Sequence, residues 1–145
     1  MDETNARKFV SWKPTIEIER IEIKTEIPIK QEMYNNFNII GFIDILYIYH
    51  LIVRYENHNF TNRSTCSHCF AEKEEKKPCF GRHTHKFAIE VKPRIDSFGN
   101  LVRQINKYKE YTRGEGYEWI IFTKTNDETI KKAVESQEIR VKIAS

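Results

Sequence analysis

From Thr15 to Ile29 the chain reads TIEIERIEIKTEIPI. Isoleucine alternates with charged residues, the period-2 pattern of a strand with one buried face. The phase shifts at Arg20 and Ile21, which predicts a bulge or a turn between two strands there. Lys30 to Phe37 reads as a turn, with Asn35 and Asn36 at its tip. A long strand from Asn38 to about Tyr55 follows, rich in β-branched residues and tyrosine, and the two form an antiparallel hairpin. Glu56 to Arg82 is polar and irregular. Strand character returns from Thr84 to Lys92, and Pro93 stops its ladder.

Asp96 or Ser97 can cap a helix running to about Arg113, with Leu101, Val102, Ile105 and Tyr108 on its inner side, ended by Gly114 and Gly116. Tyr117 to Thr123 (YEWIIFT) reads as a buried strand, with Trp119, Ile120, Ile121 and Phe122 as core. Asp127 to Ser136, capped by Asn126 or Asp127, is a second helix of mixed charge with a solvated face. Glu138 to Ile143 is a short last strand. This order predicts an α/β fold, a mixed central sheet flanked by helices, in a single domain over 1–145 with a polar insert at 56–83.

The chain's 145 residues suit one domain and one core. No apolar run reaches 18 residues. The longest, Asn38 to Val53, is broken by Asp44 and His50, so it predicts a buried strand and no membrane span. The start, MDETNARKFV, has no hydrophobic signal region, which predicts a cytoplasmic protein. Net charge is only +3, but it is unevenly spread. Gly81 to Arg113 carries eight Lys/Arg against three acids, whereas the remainder carries sixteen against eighteen. A local basic surface of this kind can neutralise phosphates; a solvated helix face is the alternative.

Asp44 stands alone among apolar neighbours in IIGFIDILYIY, where a carboxylate costs several kcal/mol to desolvate unless it is compensated. In FAIEVKP, Ala88, Glu90 and Lys92 point to one side of a strand while Ile89 and Val91 point to the other. If this strand neighbours that of Asp44, two carboxylates and an ammonium converge. Two carboxylates with a backbone carbonyl, that of Val91, make an oxygen site for Mg²⁺ or Mn²⁺. Lys92 can orient water or neutralise an oxyanion. The plainer alternatives are a structural aspartate paired with a nearby cation and a cross-strand ion pair.

The succession GFID at 41–44, IEVK at 89–92 and QINKY at 104–108 resembles the PD-(D/E)XK nucleases. The branch it looks most like is the RecB-like one, which carries a glutamine and a tyrosine four apart on the following helix, as Gln104 and Tyr108 are. The resemblance spans about Thr25 to Thr123, and TEIPIK matches the family's stretch with an additional acid, which makes Glu26 a site candidate. What it implies is a restriction-endonuclease-like fold in which Asp44 and Glu90 hold Mg²⁺ or Mn²⁺ and Lys92, Gln104, Tyr108 and Glu26 complete the catalytic set. Arg94, Arg103 and Lys107 would contact nucleic acid. The implied function is a metal-dependent DNA nuclease, an exonuclease or structure-selective endonuclease acting on single strands, ends or branches. The alternatives are a Holliday-junction resolvase and a catalytically inactive nucleic-acid-binding, adaptor or inhibitor protein of the same fold. Monomer and homodimer both remain open, as does association with other DNA-processing proteins. The family's early histidine is missing. No cysteine lies outside 66–79, so the iron–sulfur cluster of some RecB-like exonucleases is not expected.

The insert between the two acid-bearing strands contains CSHCFAEKEEKKPCFGRHTH. Cys66 and Cys69 have knuckle spacing, and Cys79 with His83, or His85 in its place, can complete a tetrahedral structural zinc site; His68, inside the knuckle, is a weaker ligand. A Cys66–Cys69 or Cys69–Cys79 disulfide, or free thiols on a loop, are the alternatives. The insert can also grip substrate, since Lys73, Lys76, Lys77 and Arg82 can meet phosphates, although Glu72, Glu74 and Glu75 dilute that charge. Trp12 can stack on a base or pack over the sheet edge.

Overall fold

The computed structural model describes residues 14–61, 64–73 and 77–144. Trp12, Lys76, Glu74 and Glu75 lie outside them. The strands are β1 (Thr15–Met33), β2 (Asn36–Tyr55), β3 (Cys79–Val91), β4 (Tyr117–Thr123) and β5 (Arg140–Ile143), and the helices are α1 (Phe98–Tyr111) and α2 (Glu128–Glu135). The strands form one mixed sheet in the order β1-β2-β3-β4-β5. A two-residue turn, Tyr34 and Asn35, joins β1 to β2, so that pair is an antiparallel hairpin. Bonds from Asp44 to Val91 and from His50 to Thr84 run in opposite order along β2 and β3, which makes that pair antiparallel too. β3 is parallel to β4, with Glu90 opposite Ile121, and β4 is parallel to β5. Each parallel pair is bridged by a helix, as parallel neighbours require.

The chain divides into two compact units, one within 1–21 and 49–84 and the other formed by 22–48 and 85–145. The second holds the main hydrophobic core. Leu101, Ile105 and Tyr108 of α1 and Val134 of α2 meet Ile29, Ile43, Ala88, Trp119, Ile121 and Val141 of the sheet. The spacing of the α1 residues is that of one helix face. Ser97 caps α1, its Oγ accepting from the Asn100 N–H at 3.3 Å. Asp127 caps α2 twice over, its Oδ1 accepting from the N–H groups of Thr129 and Ile130 at 2.9 and 3.2 Å. A helix of 8 residues has little propagation to offset its nucleation, so this cap matters. Asp127→Ala is expected to lower stability by about 1–2 kcal/mol, read as a lower urea midpoint with an unchanged m-value.

Several details depart from the sequence pattern. β1 runs without a turn at Arg20 and Ile21; its backbone irregularity is Glu26, at φ 51°. Its isoleucines do not share a buried face: Ile16, Ile18, Ile21 and Ile23 are all exposed, and only Ile29 is fully buried. Alternation marks which residues share a face, but the face is covered only where another element packs on it. Phe122 departs for the same reason. It is 44% exposed while Trp119 and Ile121, on the opposite face of β4, are buried. β5 begins at Arg140 because Glu138 takes a left-handed conformation, φ 60°, in the turn that closes α2. Lys109, within the basic stretch, donates to the carbonyls of Gln137 and Glu138 in that turn.

Candidate active site and metal centre

In the second unit, β2 brings Asp44 beside the end of β3. The Val91 N–H donates to Asp44 Oδ2 at 2.8 Å, which partly compensates the carboxylate's removal from water. Glu90 shares the face of Ala88 and is 3% exposed. Its Oε1 is held by Lys92 Nζ at 3.3 Å and, more loosely, by the Gln104 amide at 3.4 Å. That amide also donates to the Tyr108 hydroxyl at 2.9 Å. The i, i+4 pair on α1 thus bonds to itself and to the acid. Gly41 completes the wall: a Cβ there would overlap the Tyr108 hydroxyl and ring edge, so the GFID segment admits Tyr108 only because position 41 lacks a side chain.

Among the described residues, Glu90 Oε2 is buried with no hydrogen-bond partner. Burial raises the Glu90 pKa and the Asp44 charge raises it further, against the opposing pull of Lys92. A buried carboxylate oxygen without a donor, next to a second carboxylate, is costly by itself.

The other candidates fall around this core unequally. Glu26 is exposed, and among the described residues no bond links it to Asp44 or Glu90. Of Val91, the structure shows the N–H on Asp44 and not a role for its carbonyl. Arg94 pairs with Asp96 at 2.9 Å, both side chains well exposed. Arg103 bonds to Asn100, and Lys107 is exposed. Exposed pairs of this sort are worth little. Beside the acids lies a cavity of about 170 Å³ lined by Lys92, Arg94, Ser97, Asn100 and Gln104, among others. A wider one, of about 640 Å³, is lined by Arg113, Tyr117, Glu135 and Arg140, among others, and contains none of these site residues.

In the first unit, His58, Cys66, Cys69 and Cys79 converge, with one ligand atom from each lying within 4.8 Å of all the others. This cluster can hold a metal ion. All three cysteines are free, so neither disulfide forms. Cys66 and Cys69 sit on a knuckle closed by Phe70 N–H to Cys66 carbonyl (2.9 Å) and Cys66 N–H to Ala71 carbonyl (2.8 Å). The N–H groups of Asn59 and His68 point at Cys66 Sγ, 3.2 and 3.4 Å away. Burial acts to raise the Cys66 pKa, but N–H groups from Cys69, His68 and Asn59, together with His58, outweigh it and bring it to about 5. Burial and the neighbouring sulfurs of Cys66 and Cys69 push Cys79 up to about 12.

The fourth position falls to His58, not to His83 or His85. Cys79 opens β3, and a strand advances about 3.3 Å per residue. His83 and His85 are therefore carried roughly 13 and 20 Å along it, and both are exposed. His58 lies eight residues before the knuckle, on the side of the insert where the sequence suggested no ligand. The signal was present as a histidine closing the far side of the loop, but only the fold of the loop selects it. Compared with known proteins, the chain matches no family model, no curated protein and no solved structure.

Proposed function

We propose that the chain is a divalent-metal-dependent nuclease with a restriction-endonuclease-like arrangement of its second unit, acting on DNA. The observation that carries this reading is the buried, unpartnered Glu90 Oε2 beside Asp44, with Lys92 on the same acid. Asp44 and Glu90 would hold Mg²⁺ or Mn²⁺, with the Val91 carbonyl as a third oxygen. When bound, such an ion supplies Lewis acidity, making water a better nucleophile and offsetting charge on the phosphate.

The chain's own residues do the rest. Gln104 and Lys92 keep Glu90 Oε1 engaged, which leaves Oε2 as the carboxylate oxygen without a bond. Lys92, 35% exposed while its partner Glu90 is buried, presents an ammonium that can pair with a phosphate oxygen as negative charge develops there. The small cavity next to it, with Arg94 at its wall, suits an adjacent backbone phosphate. Arg103 and Lys107 extend the positive surface along α1. Asp44 is bonded to the backbone of β3, so the two acids move together and keep their spacing.

The test is a labelled panel of single-stranded, duplex, flap and four-way-junction DNA, with an RNA strand alongside, in Mg²⁺ or Mn²⁺. Wild-type protein should cut at least one substrate, chelation should stop it, and Asp44→Asn and Lys92→Ala should each lower the rate at least a hundredfold. Mn²⁺ binding without cleavage of any substrate would move the reading to a non-catalytic binder of the same fold. Absence of Mn²⁺ binding as well would remove both.

A further inference from the structure

We propose that His58, Cys66, Cys69 and Cys79 form a closed, structural Zn²⁺ site that orders the polar loop between β2 and β3. It does not depend on the nuclease reading, since no residue is shared with Asp44, Glu90 or Lys92.

The distances suit one ion. Tetrahedral zinc, with bonds of about 2.3 Å to sulfur and 2.0–2.1 Å to nitrogen, separates two thiolates by about 3.8 Å and a thiolate from an imidazole nitrogen by about 3.5 Å. Cys66 and Cys79 Sγ are 3.6 Å apart, and Cys69 Sγ is 3.3 Å from His58 Nδ1. No pair of the four ligand atoms exceeds 4.8 Å. A two-iron cluster would spread its protein ligands to opposite ends, and this set is too tight for that. Three sulfurs and one imidazole nitrogen exclude a hard oxygen-seeking ion and favour zinc.

The surroundings are arranged for a cation as well. The Nε2 of His58 lies 2.7 Å from the Lys77 carbonyl, which can only accept. The ring therefore carries its proton on Nε2 and turns the Nδ1 lone pair towards Cys69. That is how metal-bound histidines are oriented. Backbone N–H groups aimed at Cys66 Sγ stabilise a thiolate, the form a metal takes. Beyond these groups the loop is held by local contacts. Among its described residues only Cys66 and Ala71 are buried apolar ones, its backbone bonds are short-range, such as Ser67 N–H to the Asn59 carbonyl and Lys73 N–H to the Ser64 carbonyl beside the isolated bridge from Thr65 to Glu72, and His68 stacks on Tyr55. Four protein ligands leave no open coordination position, so the ion's contribution is folding free energy for this loop.

The full chain, purified without chelator, should contain one zinc per molecule, and its three cysteines should resist alkylation until a strong chelator is added. Metal-free protein titrated with Co²⁺ should develop the intense visible bands and the thiolate charge transfer of a tetrahedral, sulfur-rich site at one equivalent. His58→Ala should weaken Zn²⁺ binding at least tenfold in competition with a chromophoric chelator and shift the cobalt bands, whereas His83→Ala and His85→Ala should match the wild type in both. The wild-type titration and the alkylation need no variant to fold. Cysteines equally reactive with and without zinc, or a cobalt spectrum of octahedral type, would overturn the site. Loss of affinity in His83→Ala with His58→Ala unchanged would overturn the ligand assignment.

Discussion

Glu90→Gln is expected to make the metal-free protein more stable at neutral pH while abolishing the proposed cleavage. Glu90 is buried, one of its oxygens has no partner, and Asp44 lies near enough to oppose its charge. Lys92 offsets only part of this, since the pKa is raised on balance. A carboxyl whose pKa is higher folded than unfolded binds more protons in the native state. Its stabilising contribution is complete below the unfolded value of about 4.5, is lost as pH rises through the raised folded value, and is flat above it. The wild type bears the penalty in full wherever Glu90 is ionised. Glutamine keeps an oxygen for Lys92 and Gln104 and replaces the orphaned oxygen with an uncharged N–H₂, which removes the charge that Asp44 opposes. The gain should be of order 1–3 kcal/mol at pH 7 and should vanish as pH falls through the carboxyl's titration. Added Mn²⁺ should raise the wild-type Tm by mass action and leave that of Glu90→Gln unchanged. Thermal melts of both proteins at pH 4 and 7, with and without Mn²⁺, decide the matter. A variant less stable than wild type at pH 7, with a wild-type Tm indifferent to Mn²⁺, would show that Glu90 is a structural ion-pair partner.

The sequence pattern and the structure agree most where a signal is local. The β3–α1–β4–α2–β5 succession was legible because the strands carry apolar residues at consecutive or alternate positions and each helix has its own cap, Ser97 or Asp127, although β3 begins at Cys79 and not at Thr84. The nearness of Asp44 to Glu90, and of Lys92 to Glu90, was legible because a strand's period of two fixes which residues share a side, and an acid on a core-facing side invites a partner. What was not legible depends on distance in space. The isoleucines of β1 carry the alternation of a half-buried strand, yet whether anything covers them is decided by elements far away in the chain. The choice of His58 over His83 needed the knowledge that Cys79 already lies in a strand. An extended chain after Cys79 takes later histidines away from the knuckle, whereas the bond from Ser67 N–H to the Asn59 carbonyl holds the residue next to His58 against the knuckle. Glu26 matched a motif by spacing; it lies exposed on β1, with no bond to Asp44 or Glu90 among the described residues.

Gly41→Ala is expected to destabilise the second unit and to slow the proposed cleavage, although the residue touches neither acid. Replacing glycine by alanine ordinarily stabilises by about 0.4–1 kcal/mol through the unfolded chain, and Gly41 does not need a positive φ. Here that gain is outweighed. The new Cβ would overlap the Tyr108 hydroxyl and ring, and Tyr108 cannot swing aside cheaply. It is 7% exposed and lies against Trp119, with ring centroids 6.0 Å apart. Overpacking of a filled core costs about 1–3 kcal/mol, so the net loss should be about 1–2 kcal/mol and the Tm should fall by roughly 2–8 °C. Displacing the Tyr108 hydroxyl also removes the bond that steadies the Gln104 amide and so loosens its hold on Glu90. The rate should therefore fall about tenfold, with a weaker apparent affinity for Mn²⁺. A second background separates this route from a general loss of folding. Tyr108→Leu keeps an apolar side chain beneath Gly41 but removes the ring edge and hydroxyl, so Gly41→Ala added to it should be neutral or slightly stabilising. The cycle would then show a coupling energy of the same size as the single-mutant loss. Equal destabilisation in both backgrounds would mean that Gly41 is required for its backbone and not for the room it leaves to Tyr108.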